Sequence, residues 1–211
     1  SLNCLLVFLL LFESRISLPV WLQVAGRTHP LVLHFPIVLV IMFVVVSWFM
    51  PKRMAADSAA YEAARDSLLL LASLAAAMTA LAGLFLSREE GYDAEALQWH
   101  KWSGIGLSVF LLLWYSFRKN IRSNKIISFL ASGAALFLIV FAGHQGSVIT
   151  HGEGFILAPA TPEKKMPAVS PDDAVVFAHV VKPILENKCV TCHNARKAKG
   201  ELIMETEAMI V

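Results

Sequence analysis

Charged residues are scarce in this chain: they make up 16% of its 211 residues, whereas 57% are hydrophobic. Soluble domains have about 25% charged and roughly 45–50% apolar residues, so this composition excludes an ordinary soluble protein and indicates a membrane protein. The net charge is only +2 and no long basic run is present, which argues against nucleic acid as a partner. The expected surroundings are a lipid bilayer.

Cysteine is equally scarce, with only Cys4, Cys189 and Cys192. The last two are three positions apart and Cys4 lies in an apolar stretch, so we expect no disulfide framework. Cys4 is interpreted as a lipid-facing or packed thiol. Internal repeats and a glycine-rich phosphate loop are also absent, which excludes a repeat architecture and a P-loop nucleotide site.

Long hydrophobic runs, by contrast, occur in four places. A spanning helix needs about 20 mostly apolar residues, with about 17 as the short limit. The predicted spans cover residues 30–50, 67–86, 102–117 and 126–143, of which 102–117 is the shortest. Four such helices with short connections favour an antiparallel transmembrane bundle.

The loop charges predict how these spans are oriented. The connection between the second and third spans holds four acidic residues and one arginine, whereas the loops after the first and third carry three and four lysine or arginine residues. Positive loops stay in the cytoplasm, so the chain after the fourth span is expected in the periplasm and the spans in a bacterial inner membrane. The basic residues assigned to these loops are Lys52, Arg53, Arg65, Arg118, Lys119, Arg122 and Lys125.

The two ends of the chain differ in character from the spans. Residues 2–12 are apolar but, at about 1.5 Å per residue, too short to cross roughly 30 Å of hydrocarbon. We interpret residues 1–25 as the end of a fifth helix or a retained signal anchor. Residues 157–173 contain four prolines among charged residues and are typical of a stiff linker. The transmembrane domain is therefore predicted at 26–156 and a small C-terminal domain at 174–211.

The C-terminal domain carries a haem attachment motif. Residues 189–193 read Cys-Val-Thr-Cys-His, the pattern of a c-type haem site. The thiols of Cys189 and Cys192 can each form a thioether with the haem, and His193 then binds the iron as proximal ligand. A zinc site would require a second ligand pair, and a dithiol redox site a βαβ context; neither is present. The expected cofactor is haem c.

The sequence does not select a second axial ligand for that iron. Met204 and Met209 are the only methionines after His193, and each is interpreted as a hydrophobic or exposed residue in preference to a distal ligand. A cytochrome domain usually extends well beyond its attachment site, so residues 174–211 are expected to be the start of the domain. His179 is interpreted as a solvated helix residue, with ligation of a partner's haem as the alternative.

The residues around the motif resemble the planctomycete-type cytochrome c family. Members of that family carry a similar Pro-Ile-Leu lead-in, as at residues 183–185, then the haem motif, then a Lys-Gly turn, as at 199–200. The resemblance covers about residues 175–211. It implies a small, helical, extracytoplasmic cytochrome domain.

Five of the seven histidines lie at the predicted outer ends of the spans. They are His29, His34, His100, His144 and His151. Ionisable side chains at membrane depth are functional by default, and imidazoles from facing helices can ligate a haem b. We interpret the set as a candidate haem b or quinone site, although anchoring or capping is favoured for any single histidine. Pro36 lacks an N–H and should loosen the first helix near Val32, beside His34.

The same histidine motifs resemble the domain of unknown function 2231 family of membrane proteins. Its pattern is a His-Pro…His-Phe-Pro opening, a His-Lys start to a later span, and a Gly-His-x-Gly run with a second histidine after it. The matching residues are 29–36, 100–101 and 143–152. The resemblance covers about residues 26–155 and implies a four-helix membrane domain without a settled activity.

Together these features predict an all-α, membrane-anchored c-type cytochrome. It would pass electrons from a membrane donor to an extracytoplasmic acceptor through the haem at His193, with other electron-transport subunits as partners. One alternative is a membrane anchor or scaffold with a redox-responsive docking domain and no cofactor in the bundle. Another is a quinol oxidoreductase, which is weaker because no acidic residue lies deep within the predicted spans.

Overall fold

The computed structural model describes residues 2–50, 58–89, 91–160, 175–190, 193–195 and 198–210. Every regular element in these ranges is helical, as the sequence predicts. The α-helices are α1 (Leu2–Leu11), α2 (Val20–Gly26), α3 (His29–Val32), α4 (His34–Phe49), α5 (Ser58–Leu86), α6 (Ala94–Ser116), α7 (Arg118–Ser123), α8 (Lys125–His151) and α9 (Lys182–Lys188). Short 3-10 turns cover Glu13–Arg15, Phe155–Ala160, Lys199–Glu201 and Glu207–Met209, and a π-helical turn covers Phe177–Val181.

The chain divides into two compact units. The membrane unit comprises Ser1–Arg88 and Trp99–Gly143. The second unit comprises Glu89–Gln98 and His144–Val211. Most of the predicted proline-rich linker, residues 161–173, lies outside the described residues.

Three helical stretches are long and apolar enough to cross a membrane: Val20–Phe49, Ala59–Leu86 and Lys125–His151. They cover three of the four predicted spans to within one residue. The fourth, residues 102–117, lies in α6 except for its last residue, and α6 does not meet the same criterion. α6 begins earlier than predicted because Asp93 caps it: the Asp93 carboxylate accepts a hydrogen bond from the Ala96 N–H at 2.9 Å.

Pro36 explains the interruption of the first membrane stretch. Proline has no N–H, so the Val32 carbonyl loses its helical donor and the helix breaks at Leu33, between α3 and α4. The Thr79 hydroxyl of α5 donates to the freed Val32 carbonyl at 3.2 Å. The loosening predicted near Val32 is therefore present, and the neighbouring helix supplies the replacement partner.

The core of the membrane unit is formed by α4, α5, α6 and α8. Phe43 packs edge-on against Trp114, with ring centroids 5.1 Å apart, and Leu111 is fully buried beside them. Small residues of α5 and α8 line the same core and permit close helix packing, as in other membrane bundles. These residues are Ala72, Ala76, Ala131 and Ala135.

α1 belongs to the membrane unit. The Ser108 hydroxyl of α6 donates to Asn3 Oδ1 at 2.7 Å, and both residues are buried. Leu10 packs with Leu84 and Ile105 in a second apolar cluster. The neighbouring Cys4 is a free, exposed thiol, which fits the first of the two expected positions, lipid-facing or packed.

The tail of the second unit is built from short helices. Pro183 cannot donate a backbone hydrogen bond, and the helix widens into the π-turn Phe177–Val181 just before it. The apolar side chains Val176, Val180 and Ile184 recur at intervals of one helical turn, and all three are exposed. This helix therefore presents its apolar face instead of burying it.

Candidate haem and imidazole sites

Two of the five predicted site histidines contact each other. The rings of His29 and His100 are 5.8 Å apart between centroids, and their planes are nearly perpendicular at 87°. Both belong to the membrane unit and both are half-buried. The fold therefore brings imidazoles from α3 and α6 within reach of one small ligand; we call them the histidine pair.

Backbone carbonyls select the tautomer of both rings. His29 Nδ1 lies 3.0 Å from the Thr79 carbonyl oxygen, and His100 Nδ1 lies 2.8 Å from that of Ala142. A carbonyl oxygen can only accept, so Nδ1 is the donor in each ring. In a neutral ring Nε2 then holds the lone pair. The same arrangement is found behind metal-binding histidines, where a carbonyl orients the ring and selects the tautomer.

Gly83 makes room for the His29 ring. A Cβ at this position would lie 2.9 Å from both Cε1 and Nδ1 of His29, closer than side-chain atoms normally approach. Gly83 is one helical turn beyond Thr79 on α5. Two residues one turn apart on α5 therefore position the His29 ring: Gly83 leaves space for it, and the Thr79 carbonyl accepts a hydrogen bond from its Nδ1.

The residue that follows His100 in the chain forms an ion pair. Lys101, which follows His100, donates from Nζ to both carboxylate oxygens of Glu13 at 2.9 and 2.8 Å. The Lys101 side chain is only 8% exposed. Its charge is therefore balanced within the fold by a residue of the N-terminal segment.

The other three predicted histidines are placed differently. His34 is exposed, and its Nδ1 lies 3.3 Å from the Leu31 carbonyl oxygen, three residues earlier in α3. His144 and His151 belong to the second unit and are exposed; the His151 ring stacks on Phe155 with centroids 4.1 Å apart. Proximity in the membrane unit is thus shown for His29 and His100.

A second polar cluster, the ion-pair cluster, joins α4, α5 and α7. It consists of Glu62, Arg65, Asp66, Arg118 and Arg122. Arg118 pairs with Asp66 at 2.9 Å, and Arg122 pairs with both Glu62 and Asp66.

The placement of Arg65 in a loop was wrong. Arg65 lies inside α5 with 8% exposure. Its Nε donates to the Ser47 hydroxyl at 2.8 Å, and its guanidinium lies over the Phe43 ring. Sequence reasoning missed this site because α5 extends nine residues ahead of the predicted span, through a stretch whose charges resemble those of a loop.

The haem motif begins where α9 ends. The Cys189 N–H donates to the Leu185 carbonyl at 2.8 Å, and its thiol is free and half-buried. The His193 N–H donates to the Cys189 carbonyl at 2.9 Å, so these two motif residues are one helical turn apart. Cys192 lies outside the described residues.

One ring nitrogen of His193 lacks a partner. Its Nδ1 is buried and makes no hydrogen bond with any residue in the described part of the chain. Buried polar atoms are nearly always bonded, so such an atom calls for an explanation, and a bound ligand is one. The half-buried imidazole and thiol are donors of the kind that a c-type haem requires.

The two downstream methionines differ in exposure. The Met204 N–H donates to the His193 carbonyl at 2.8 Å, and Met204 also lines a cavity of about 240 Å³ together with Phe177, Leu185 and Ile210. Met209 is half-exposed. His179 accepts a hydrogen bond at Nδ1 from the Val175 N–H at 2.9 Å, so this ring caps its own helix.

The fold and the histidine pair define an all-helical membrane protein with paired imidazoles. Residues 27–155 match the family described as predicted membrane protein (DUF2231). The match spans more than half of the chain, and the protein belongs to this family. The resemblance inferred from the histidine motifs is thereby confirmed, whereas the match does not extend to the haem motif. No curated protein and no solved structure matches the chain.

Proposed function

We propose that the protein is a membrane-bound c-type cytochrome that passes electrons to an acceptor outside the cytoplasm. The observation that carries this function is the Cys-Val-Thr-Cys-His motif at residues 189–193, combined with the buried, unpartnered Nδ1 of His193 among the described residues. Cys189 and Cys192 hold the porphyrin by thioethers, and His193 is the proximal ligand. When bound, haem supplies a one-electron iron couple whose potential depends on its axial ligands and burial.

The local backbone keeps the motif in place. Hydrogen bonds from Cys189 to Leu185 and from His193 to Cys189 hold these two motif residues. The bond from Met204 to the His193 carbonyl ties the following segment to the same turn. These contacts orient the imidazole without using its ring nitrogens, which leaves the ring available to a ligand.

The membrane unit anchors this domain in the inner membrane. In the proposal α6 is the fourth span: its 23 residues extend about 34 Å, enough to cross roughly 30 Å of hydrocarbon. Leu107, Leu111 and Trp114 of α6 also pack in the core with the other spanning helices. With the basic residues around α7 in the cytoplasm, the C-terminal unit is periplasmic.

Haem content tests the proposal directly. The full chain is expressed with a cytochrome c maturation system, purified in detergent and examined by haem-stained denaturing gel and pyridine haemochrome. One covalent haem per chain is expected. Cys189→Ser with Cys192→Ser and His193→Ala should each abolish normal haem c, whereas the matched control Cys4→Ser should retain it. A wild-type chain without covalent haem overturns the proposal and favours the anchor alternative.

A further inference from the structure

The histidine pair presents two ring nitrogens with no proton of their own when the rings are neutral. Both Nδ1 atoms are committed to carbonyls of other helices, Thr79 on α5 and Ala142 on α8. No hydrogen bond reaches either Nε2 from the residues that the structure describes. Two Nε2 atoms that both lack a proton cannot form a hydrogen bond with each other, whereas a cation can bind the lone pairs of both.

The separation of the rings fits one shared ion. Metal–nitrogen bonds to histidine are about 2.0–2.1 Å long, so two imidazoles on one ion have centroids separated by roughly 6 Å or less. The His29 and His100 centroids are 5.8 Å apart. Perpendicular rings are compatible with such a site, because each ring can rotate about its own metal–nitrogen bond.

The number of ligands selects the metal. Among the described residues, no group of three or more His, Cys, Asp or Glu side chains could hold an ion. Zinc is almost always four-coordinate in proteins. Copper(I) accepts two neutral imidazoles in a two-coordinate arrangement, and imidazole is a suitable copper ligand. A single positive charge also has a smaller desolvation penalty than a double charge at this half-buried position.

From this geometry we infer that His29 and His100 together bind one copper(I) ion through their Nε2 atoms. Thr79 and Ala142 are positioning residues that hold the tautomer, and Gly83 provides the space for the His29 ring. The copper site is independent of haem attachment, since it uses none of the residues of the haem motif.

Copper stoichiometry tests this site. The full chain in detergent is loaded with copper(I) under anaerobic, reducing conditions against a chromophoric copper(I) chelator, and bound copper is counted by mass spectrometry. Free thiols also bind copper(I), so the measurement is repeated on a chain with Cys4, Cys189 and Cys192 changed to serine. One copper per chain is expected in that variant, with two imidazole nitrogens and no sulfur in its X-ray absorption spectrum.

Substitution of the two histidines distinguishes a copper site from two imidazoles that only pack against each other. His29→Ala and His100→Ala should each lower the affinity for copper(I) at least 100-fold in the cysteine-free chain. His34→Ala is the matched control: it removes an exposed histidine whose Nδ1 lies near the Leu31 carbonyl oxygen, and this variant should bind copper like the parent. Circular dichroism verifies that each variant keeps its helices.

Gly83→Ala examines the site without removing a ligand. The added Cβ would press on the His29 ring at 2.9 Å, so the affinity for copper(I) should fall about tenfold or more while both imidazoles remain. No copper in the cysteine-free chain, or equal copper in the parent and the His29→Ala and His100→Ala variants, overturns the site. Extractable haem b that disappears with either histidine would overturn it in favour of haem ligation.

Discussion

The two polar clusters of the membrane unit satisfy their polar groups in opposite ways. In the ion-pair cluster, three arginines meet two carboxylates, and Arg65 in addition meets a hydroxyl and an aromatic face. In the histidine pair, each imidazole is held by one carbonyl and keeps its other nitrogen without a donor among the described residues. Pairing of arginines with carboxylates inside the fold indicates a cluster that stabilises it, whereas unused lone pairs indicate one that binds a ligand.

Arg65→Met should have the largest effect on stability. The substitution removes the hydrogen bond to Ser47 and the cation–π contact with Phe43, so the free energy of unfolding should fall by about 2–4 kcal/mol. Unfolding in mixed detergent, followed by circular dichroism, measures it. Lys119→Met removes an exposed charge next to Arg118 in the chain and should change stability by less than about 0.5 kcal/mol. Equal effects of the two substitutions would mean that the ion-pair cluster is not a stabilising element.

Glu13→Gln should have the next largest effect and addresses the charged neighbour of the histidine pair. Lys101 is only 8% exposed, so loss of its carboxylate partner leaves a buried ammonium and should destabilise the fold by about 1–3 kcal/mol. The same unfolding experiment applies. Glu95→Gln, an exposed acidic residue at the start of α6, serves as the control and should change stability by less than about 1 kcal/mol. A stable Glu13→Gln variant would show that the turn Glu13–Arg15 is not held by this pair.

Gly26→Ala tests the close packing of α2 on α5. The added Cβ would lie 2.7 Å from the Leu86 backbone nitrogen and 2.9 Å from Phe85 Cβ, so the helices must separate, with a cost of about 1–2 kcal/mol. Gly104→Ala is the contrast, because its Cβ would meet nothing within 4 Å and an alanine in a helix is favoured by roughly 0.5–1 kcal/mol. Thermal melts of the two variants should therefore shift in opposite directions, and a shift in the same direction would contradict the packing.

The smallest effect concerns a single ion pair. A double-mutant cycle on Asp66 and Arg118, each changed to alanine, should give a coupling energy of about 0.2–1 kcal/mol because both side chains are partly exposed. That coupling should decrease at high salt. A salt-insensitive Asp66–Arg118 coupling would break the contrast between the two clusters.

The helices and the family could be predicted from hydropathy and motif spacing, but their boundaries could not. Asp93 extends α6 forward by capping it, and α5 continues through charged residues because Arg65 is satisfied by Ser47 and Phe43 of α4. In both cases a tertiary or capping contact outweighs the local composition. The Pro36 interruption was predictable because it follows from a missing N–H in the chain itself.

The sequence alone determines that this is an all-helical membrane protein of its family. Open strand edges do not occur within a bilayer, so apolar runs of spanning length form helices, which satisfy their own backbone hydrogen bonds. The sequence also determines the Cys-Val-Thr-Cys-His motif at residues 189–193, which is a matter of local spacing. Only the tertiary structure decides that His29 meets His100 while His34 stays exposed. The physical reason is that the position of an imidazole depends on carbonyls and space supplied by other helices, here Thr79, Ala142 and Gly83.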